Sequence, residues 1–281
     1  MKKIVLLMML IGLFTLGLVA CGTTDNDVTE PSDENTEVNN ENTQADNDAS
    51  NDDGEPEERD TLIMATSADY PPFEFRDTSG EIVGFDIALA YYIAGELGYE
   101  LEIRDMDFNG LIGALQNNRV DMVISGMSAT ESRRENVDFS TEYHHSAEMF
   151  ITQQGSDITS IEDFNGKRIG VQLGSIQEEG AEALKEQYDI EIHAVDQATT
   201  LIQELNTNRI DIAYMDKSAA LGFIESQNLA GFDDPTSNSP GMAVAFPKGS
   251  DLVERVNAAI ASAEESGYLQ ELRDEWLSEE D

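Results

Sequence analysis

The chain has 281 residues, of which 57 are Asp or Glu and only 16 are Lys or Arg, so its formal net charge is −41. This charge excludes nucleic acid as a natural partner, because a phosphate backbone requires a basic surface, and it argues against docking on anionic lipid through a basic patch. Hydrophobic residues still make up 40% of the chain, which is enough for a folded core. Cys21 is the only cysteine, so no disulfide can form within the chain.

The first twenty residues have the pattern of a signal peptide. Two lysines are followed by an uncharged apolar run over 4–20, which is short for a membrane span. The run ends in Leu18-Val19-Ala20-Cys21, which resembles a bacterial lipobox with Cys21 as the lipid-modified first residue. We therefore expect a lipid anchor on Cys21 that holds the protein on the extracytoplasmic face of the cell membrane. The alternative is an ordinary signal peptide with a chance cysteine.

The next segment, residues 21–60, is predicted to be a tether. Residues 22–60 contain 15 acids, one base and no aromatic residue. Such a composition buries too little apolar surface to offset the entropy of ordering, and charge repulsion extends it. A metal-binding acidic tract is the alternative reading of this segment.

From residue 61 the pattern changes to that of a folded α/β unit. We predict a buried strand over 61–66, a helix over 85–97 that ends at Gly98, and a strand over 99–104. A helix over 109–117 and a buried strand over 120–125 follow. This alternation indicates an α/β fold with a mostly parallel sheet.

A repeat at an offset of 90 residues indicates two similar halves. Leu115-Gln-Asn-Asn-Arg-Val-Asp-Met-Val123 matches Leu205-Asn-Thr-Asn-Arg-Ile-Asp-Ile-Ala213, and each copy reads as a helix end, a turn and a strand. Two unrelated units could also have converged on this short pattern. Ser125 and Gly126 follow the first strand, and Asp216 follows the second. Because ligands of open α/β sheets lie at the carboxyl ends of strands, the repeat predicts a site between two lobes.

Aromatic side chains are expected on one side of this site. The tandem prolines after Tyr70 stop helix formation and leave its ring at a strand end, and Phe108 precedes a helix. Two rings so placed can enclose a flat or cationic group, although each ring taken singly also fits a core position.

Charged and backbone groups suggest the chemistry of the ligand. Arg133 lies one turn inside a helix that follows the Gly126 loop, and a guanidinium is a natural bidentate partner of a carboxylate. A surface salt bridge is the alternative. Ser175 and Ile176 open a helix after a glycine turn and are expected to present free N–H groups. Asp216 can be a helix N-cap or can accept an ammonium. Together these groups suit an α-amino acid.

These segments together resemble the extracellular solute-binding proteins of family 3, the receptors of ABC importers for polar amino acids. The resemblance covers essentially all of 61–281. It is carried by Gly84-Phe-Asp86, Asp107-Phe-Asn-Gly110, Ser128-Ala-Thr-Glu-Ser-Arg133, Val137-Asp-Phe-Ser140, Gly170-Val-Gln-Leu-Gly-Ser-Ile-Gln177 and Ala245-Phe-Pro-Lys-Gly249. Ser67-Ala-Asp-Tyr70 and Gln172-Leu-Gly-Ser-Ile-Gln177 look closest to the arginine-binding members of Gram-positive bacteria.

The resemblance implies a periplasmic-binding-protein fold of type II, in which two α/β lobes close on a ligand like a Venus flytrap. Lobe 1 would hold 61–147 and 241–281, and lobe 2 would hold 148–240. Two strands near 147–149 and 241–243 would form the hinge. The expected partners are a free amino acid, an ABC permease and its ATPase. We expect a monomer with neither cofactor nor metal.

The resemblance also implies roles for individual residues. Arg133 would bind the ligand α-carboxylate with help from the N–H groups of Ser128 and of Ser175 or Ile176. The α-ammonium would bind to Asp216, the Ser128 hydroxyl and the region of Ser125 and Gly126. Tyr70 and Phe108 would flank the ligand side chain, and Gln172 and Gln177 would line lobe 2. Many receptors for basic amino acids and glutamine have Asp where this chain has Ser67, so Asp69 or Glu74 is a candidate replacement.

Arginine is the favoured ligand, with lysine, histidine, glutamine and cystine as alternatives. The rival functions are an enzyme and a sensory domain. The three histidines, His144, His145 and His193, lie outside the predicted pocket segments, and we expect the adjacent pair to face solvent. A sensory domain would need a membrane-spanning helix and a signalling module, which we do not expect within 61–281. Residues 61–281 carry 42 acids and 13 bases, an excess that suggests life in high salt.

Overall fold

The computed structural model describes residues 60–277, so the predicted signal peptide, Cys21 and all but the last residue of the predicted tether lie outside the described residues. Two five-stranded sheets and a small three-stranded sheet carry the described chain. The strands are β1 Thr61–Thr66, β2 Asp69–Tyr70, β3 Glu74–Arg76, β4 Ile82–Val83, β5 Glu100–Asp105, β6 Met122–Val123, β7 Asp138–His144, β8 Glu148–Gln153, β9 Lys167–Gln172, β10 Ile190–Val195, β11 Ile212–Asp216, β12 Leu229–Asp233 and β13 Met242–Phe246. The helices are α1 Phe85–Leu97, α2 Leu111–Gln116, α3 Glu131–Arg134, α4 Ile176–Lys185, α5 Ala198–Asn206, α6 Lys217–Gln227, α7 Leu252–Ser266 and α8 Tyr268–Trp276, with 3-10 turns at Phe108–Gly110 and Ile161–Asp163.

The first large sheet has the order β5-β1-β6-β13-β7, and the second has the order β10-β9-β11-β8-β12. In each sheet three neighbouring strands are parallel, β5-β1-β6 and β10-β9-β11, and the other two strands pair antiparallel. Helices pack on both sheets, and the apolar side chains between them are almost fully buried. The predicted two-lobed α/β fold is therefore confirmed.

The chain crosses between the two sheets twice. It passes from β7 in the first sheet to β8 in the second, and it returns between β12 and β13. These crossings support our proposal that lobe 1 holds 61–147 and 241–281, that lobe 2 holds 148–240, and that the segments near 147–149 and 241–243 act as hinges. None of the helices within 60–277 is long and apolar enough to cross a membrane.

Most of the predicted elements lie where the sequence places them, with two differences. The strand over 61–66 and the helix over 85–97 are found with those bounds, and Gly98 ends the helix with a φ of 78°. The predicted helix over 109–117 instead begins with a 3-10 turn. The predicted strand over 120–125 is reduced to Met122–Val123. The ladder ends early because the Ser125 hydroxyl, rather than a backbone carbonyl, accepts the N–H of Ser67 (3.0 Å).

The sequence repeat corresponds to repeated geometry. Asn118 and Asn208 both adopt left-handed backbone conformations, with φ of 50° and 57°, which Asn tolerates better than most residues. Three residues later, the Asp121 carboxylate accepts the N–H of Ile63, and the Asp211 carboxylate accepts the N–H of Arg168, both at 2.9 Å. Each Asp therefore ties its helix–turn–strand unit to the neighbouring parallel strand, so the two halves share a structural motif.

Candidate functional site

A cavity between the two sheets is lined by every residue that the sequence predicts for ligand binding. The first lobe contributes Ser67, Asp69, Tyr70, Phe108, Ser125, Gly126, Ser128 and Arg133, and the second lobe contributes Gln172, Ser175, Ile176, Gln177 and Asp216. Their location in one cavity is observed, whereas their individual ligand roles stay predictions. Glu74, Glu148 and Met242 complete the lining.

Arg133 is a buried cation in this cavity. The side chain of Thr130 caps helix α3 by accepting the N–H of Arg133, which fixes where the guanidinium projects. Only 6% of Arg133 is exposed, and burial lowers its pKa to about 10. Its Nη1 and Nη2 donate to the carbonyls of Ser128 (2.9 Å) and Gly174 (3.0 Å), one from each lobe.

Within the described part of the chain, no carboxylate lies at ion-pair distance from Arg133, so the alternative of a surface salt bridge is wrong. The charge of Glu179 acts on Arg133 only from beyond ion-pair distance, and a buried guanidinium without a direct counter-ion is costly. An anionic ligand group would supply the missing charge and would match the planar donor fork.

Asp69 connects the two lobes. Its Oδ1 accepts the Ser67 hydroxyl (3.0 Å), while its Oδ2 accepts the backbone N–H of Ala198 (2.5 Å) and the side chain of Gln172 (3.4 Å). Burial raises the pKa of Asp69 to about 6 in spite of these hydrogen bonds. The carboxylate that we considered as a replacement for an acid at position 67 is thus already bound to donors of lobe 2.

The two predicted aromatic residues differ in their surroundings. The Tyr70 hydroxyl accepts the backbone N–H of Asp216 (2.9 Å), so this ring also bridges the lobes. Phe108 is half-buried, and the Arg133 guanidinium lies 5.4 Å from the centre of its ring. Phe108 therefore supports the buried cation as well as lining the cavity.

Two buried carboxyl groups hold the loop at Ser125 and Gly126. The Ser125 hydroxyl donates to Glu74 Oε1 (2.8 Å), and the N–H of Gly126 donates to Asp86 Oδ2 (2.6 Å). Burial and the charge of Asp86 raise the pKa of Glu74 well above its ordinary value. Glu74, the second candidate replacement for an acid at position 67, therefore lines the cavity with its charged form disfavoured.

The start of helix α4 differs from the expectation of two free N–H groups. Ser175 caps the helix with its hydroxyl, which accepts the N–H of Glu178 (3.1 Å). The N–H of Ser175 itself donates to the Gln172 carbonyl (3.2 Å), so the prediction of a free donor at Ser175 is wrong. The glycine turn directs this N–H back toward its own strand, which leaves Ile176 as the predicted backbone donor.

Asp216 acts as the N-cap of helix α6, because its carboxylate accepts the N–H of Ser218 (2.8 Å). Only 3% of the residue is exposed, and it lines the cavity at the end of β11. The N-cap interpretation is thus confirmed, and it is compatible with the predicted ammonium contact because a carboxylate has several acceptor sites.

Glu148 is a cavity residue that the sequence-based site omitted. It opens β8, is 3% exposed, and accepts a short hydrogen bond from Gln177 Nε2 (2.5 Å). Burial, followed by the charges of Asp216 and Asp234, raises its pKa to about 8. One acid at the head of an otherwise apolar run was the available signal, since a buried strand seldom begins with an unpaired charge.

The histidines lie outside this cavity. His144 is buried, with its Nε2 3.1 Å from the Ser218 hydroxyl, so the prediction of a solvent-facing pair is wrong for that residue. His145 is exposed and contacts Glu142 (2.8 Å), and His193 contacts Glu204 (2.7 Å). Within residues 60–277, no group of three His, Cys, Asp or Glu side chains could hold a metal ion.

Comparison with known proteins connects this cavity to a family. The family model described as bacterial extracellular solute-binding proteins, family 3, matches residues 62–279. The arginine-binding extracellular protein ArtP of Bacillus subtilis is 40% identical over 230 residues, which cover 81% of this chain and 90% of that protein. A probable histidine-binding protein of Campylobacter jejuni is 34% identical over 216 residues, covering 75% of this chain and 83% of that protein.

Similarity to a solved structure supports the same family assignment. An ancestral arginine-binding protein bound to arginine superposes with a TM-score of 0.74 at 35% identity, covering 78% of this chain and 98% of that one. Together with the family match over most of the chain, this similarity shows that the chain belongs to the bacterial extracellular solute-binding proteins of family 3.

Proposed function

We propose that this protein is an extracytoplasmic receptor that binds a basic L-amino acid, with arginine favoured, and delivers it to an ABC importer. The observation that carries the proposal is the charge arrangement of the cavity, where buried Arg133 projects from lobe 1 and buried Asp216 and Glu148 project from lobe 2. This arrangement complements the carboxylate and ammonium of an α-amino acid, which are both bonded to the α-carbon. Relatives named for binding arginine and histidine support the same class of ligand.

The excess of carboxyl groups favours a basic side chain. Arg133 is the only Arg or Lys that lines the cavity within the described chain, whereas Asp69, Glu148 and Asp216 line it without counting Glu74, whose charge is disfavoured by burial. A ligand with one additional positive charge offsets part of this imbalance, which a neutral side chain does not. Glutamine and cystine are the alternative ligands, and they require that more of these carboxyl groups stay protonated.

A thermal-shift panel of the twenty amino acids, ornithine and cystine tests the ligand class. A ligand present at about 100 times its Kd stabilises the folded form by about 2.7 kcal/mol, which shifts the melting temperature measurably. We expect arginine to give the largest shift, followed by lysine, ornithine and histidine. If glutamine or cystine gave the largest shift in melting temperature, that amino acid would replace arginine as the proposed ligand. If no amino acid gave a shift, the proposed receptor function would be contradicted.

We propose binding without chemical conversion. The cavity contains no His or Cys side chain among its described lining residues, so the usual nucleophile–base pairs are not found there. Incubation with L-arginine followed by mass spectrometry should return the amino acid unchanged, whereas a new mass would indicate an enzyme. Capture of a permease and its ATPase from solubilised membranes would favour transport over a signalling role.

We further propose a lipid anchor on Cys21, which rests on the lipobox pattern Leu18-Val19-Ala20-Cys21. Replacement of Cys21 with Ser should release the protein from the membrane fraction to the medium, and metabolic labelling with a fatty acid should be lost. An unchanged distribution would contradict the anchor.

We also propose that the acidic surface is an adaptation to high salt, since residues 61–281 carry 42 acids and 13 bases. Salt at about 1 M shortens the Debye length to about 3 Å and screens the repulsion among the surface carboxylates. The melting temperature should therefore rise on addition of salt, and a fall would contradict the proposal.

A further inference from the structure

Glu148 and Asp216 are direct neighbours on adjacent strands of the second sheet. Strands β8 and β11 pair antiparallel, and Glu148 is the cross-strand partner of Asp216. Side chains in this relation lie on the same face of the sheet, with Cβ atoms about 4.5–5.5 Å apart. Each residue is 3% exposed, and both line the cavity. Two like charges so placed repel each other unless a cation lies between them.

The described groups that face Glu148 carry no positive charge, and only Gln177 and Ser239 donate hydrogen bonds to its carboxyl group. They come from β2, α4, β11 and the segment after β12, and they are Tyr70, Gln177, Tyr214, Asp216, Asp234 and Ser239. The nearby Lys217 is directed elsewhere, with its Nζ at 3.2 Å from Asp233. A cation that would balance Glu148 is therefore not provided by any of the described groups that face it.

We propose that Glu148 is a second carboxylate for the ligand α-ammonium, which it holds together with Asp216 while Arg133 holds the α-carboxylate. The inference rests on the proposed function and assigns a further binding residue to it. An ammonium has three N–H donors, so it can bind both carboxylates and still donate to a third acceptor. Gln177 holds the Glu148 carboxylate in place through its hydrogen bond (2.5 Å).

The pair also discriminates against ligands that lack an ammonium. When such a ligand fills the closed cavity, Glu148 stays next to Asp216 without an ammonium between them, and Glu148 has to take up a proton. Burial and the charge of Asp216 already raise the pKa of Glu148 to about 8, which fits a carboxyl group that ionises fully only beside a cation. Glu148 therefore makes the closed state dependent on the ligand α-ammonium.

The test compares L-arginine with 5-guanidinopentanoate, which is arginine without its α-ammonium, by titration calorimetry on the full chain. Glu148→Gln keeps the shape and the contact with Gln177 but removes the charge. Because a hydrogen bond to a charged group is worth about ten- to a hundredfold in affinity, the variant should bind L-arginine at least about tenfold more weakly. The preference for L-arginine over 5-guanidinopentanoate should fall by a similar factor.

Glu182→Gln is the matched control, because Glu182 is an exposed glutamate of helix α4 that is paired with Lys185 and does not line the cavity. The preference of this variant for L-arginine over 5-guanidinopentanoate should equal that of the wild type. Glu148→Asp, which keeps the charge, should retain most of the preference if Glu148→Gln fails to fold.

An unchanged preference in Glu148→Gln would overturn the inference. A second outcome would also overturn it: Glu148→Gln lowers the affinity for arginine more than the affinity for glutamine, while the preference for L-arginine over 5-guanidinopentanoate is unchanged. Glu148 would then bind the ligand side chain. If the wild type binds no amino acid at all, the proposed function itself fails, which is a separate outcome.

Discussion

Asp69 of the first lobe caps a helix of the second lobe: its Oδ2 lies 2.5 Å from the backbone nitrogen of Ala198, the first residue of helix α5. The residue before it, Gln197, makes no side-chain cap of its own. The first N–H groups of a helix require acceptors, and a carboxylate there also interacts favourably with the helix dipole. Because this cap comes from the other lobe, we expect helix α5 to lose it when the lobes open, which would make Asp69 a latch between them.

This latch predicts different effects for two substitutions of Asp69. Asp69→Ala removes the acceptor and should weaken amino-acid binding about fivefold, since loss of an N-cap costs about 1 kcal/mol. Asp69→Asn keeps an oxygen for the Ala198 N–H and should bind within about twofold of the wild type. Calorimetric titration of both variants measures the difference. An equal and large loss in both variants would show that the charge of Asp69, and not its acceptor, supports binding.

The pH dependence of closure follows from the same residue. Burial raises the pKa of Asp69 from its ordinary 3.8 to about 6 in this structure. We expect opening of the lobes to expose the carboxylate and to return its pKa toward the ordinary value. The closed form then binds the proton more tightly than the open form, so Asp69 favours closure most below about pH 4, and this contribution is lost as the pH rises through 6. Fluorescence energy transfer between labels on the two lobes of the ligand-free protein should report more closed molecules at pH 4.5 than at pH 7.

Asp69→Asn is the control for that experiment, because it should remove the part of the pH dependence that belongs to Asp69. The labels can be attached at Ser79 and Glu186, which are exposed residues of the first and second lobes, after Cys21→Ser and replacement of both by Cys. A closed population that rises with pH in the wild type would contradict the assignment.

Tyr70 predicts an effect on ligand release. Its hydroxyl accepts the backbone N–H of Asp216 (2.9 Å) across the closed lobes, and Tyr70→Phe removes this contact while keeping the ring. A hydrogen bond of this kind is worth about 1 kcal/mol, so the dissociation rate should rise about fivefold. Stopped-flow measurement of ligand release gives this rate. Tyr92→Phe is the control, since the Tyr92 hydroxyl contacts Ser262 (3.2 Å) away from the cavity, and equal rates in both variants would count against the bridge.

The sequence was informative about the fold and about which residues meet in the cavity. Alternation of helices and strands, the repeat at an offset of 90 residues and the ordered motifs predicted two α/β lobes and the family, and both are confirmed. The repeat was reliable because Asn118 and Asn208 fix the same turn, and Asp121 and Asp211 fix the same strand contact. Such local patterns repeat in the sequence because the backbone geometry repeats.

Contacts between distant segments were not predictable in the same way. Asp69 and Ala198 are 129 positions apart, and no pattern in the sequence pairs them. Glu148 was missed because its pairing with Asp216 depends on the register of β8 against β11, which is set by the whole second sheet. The N–H of Ser175 was predicted to be free because a helix start usually has free donors, but a single backbone hydrogen bond to Gln172 engages it.

The most direct test of the account is calorimetric titration of L-arginine into the wild type, Arg133→Met and Arg134→Met. Arg133 is the buried cation of the cavity, whereas Arg134, next to it on helix α3, packs 5.2 Å from the Phe139 ring outside the cavity. We expect the wild type and Arg134→Met to bind L-arginine with similar affinity and Arg133→Met to bind no amino acid. Retention of wild-type affinity in Arg133→Met would contradict the carboxylate assignment on which the proposed function rests.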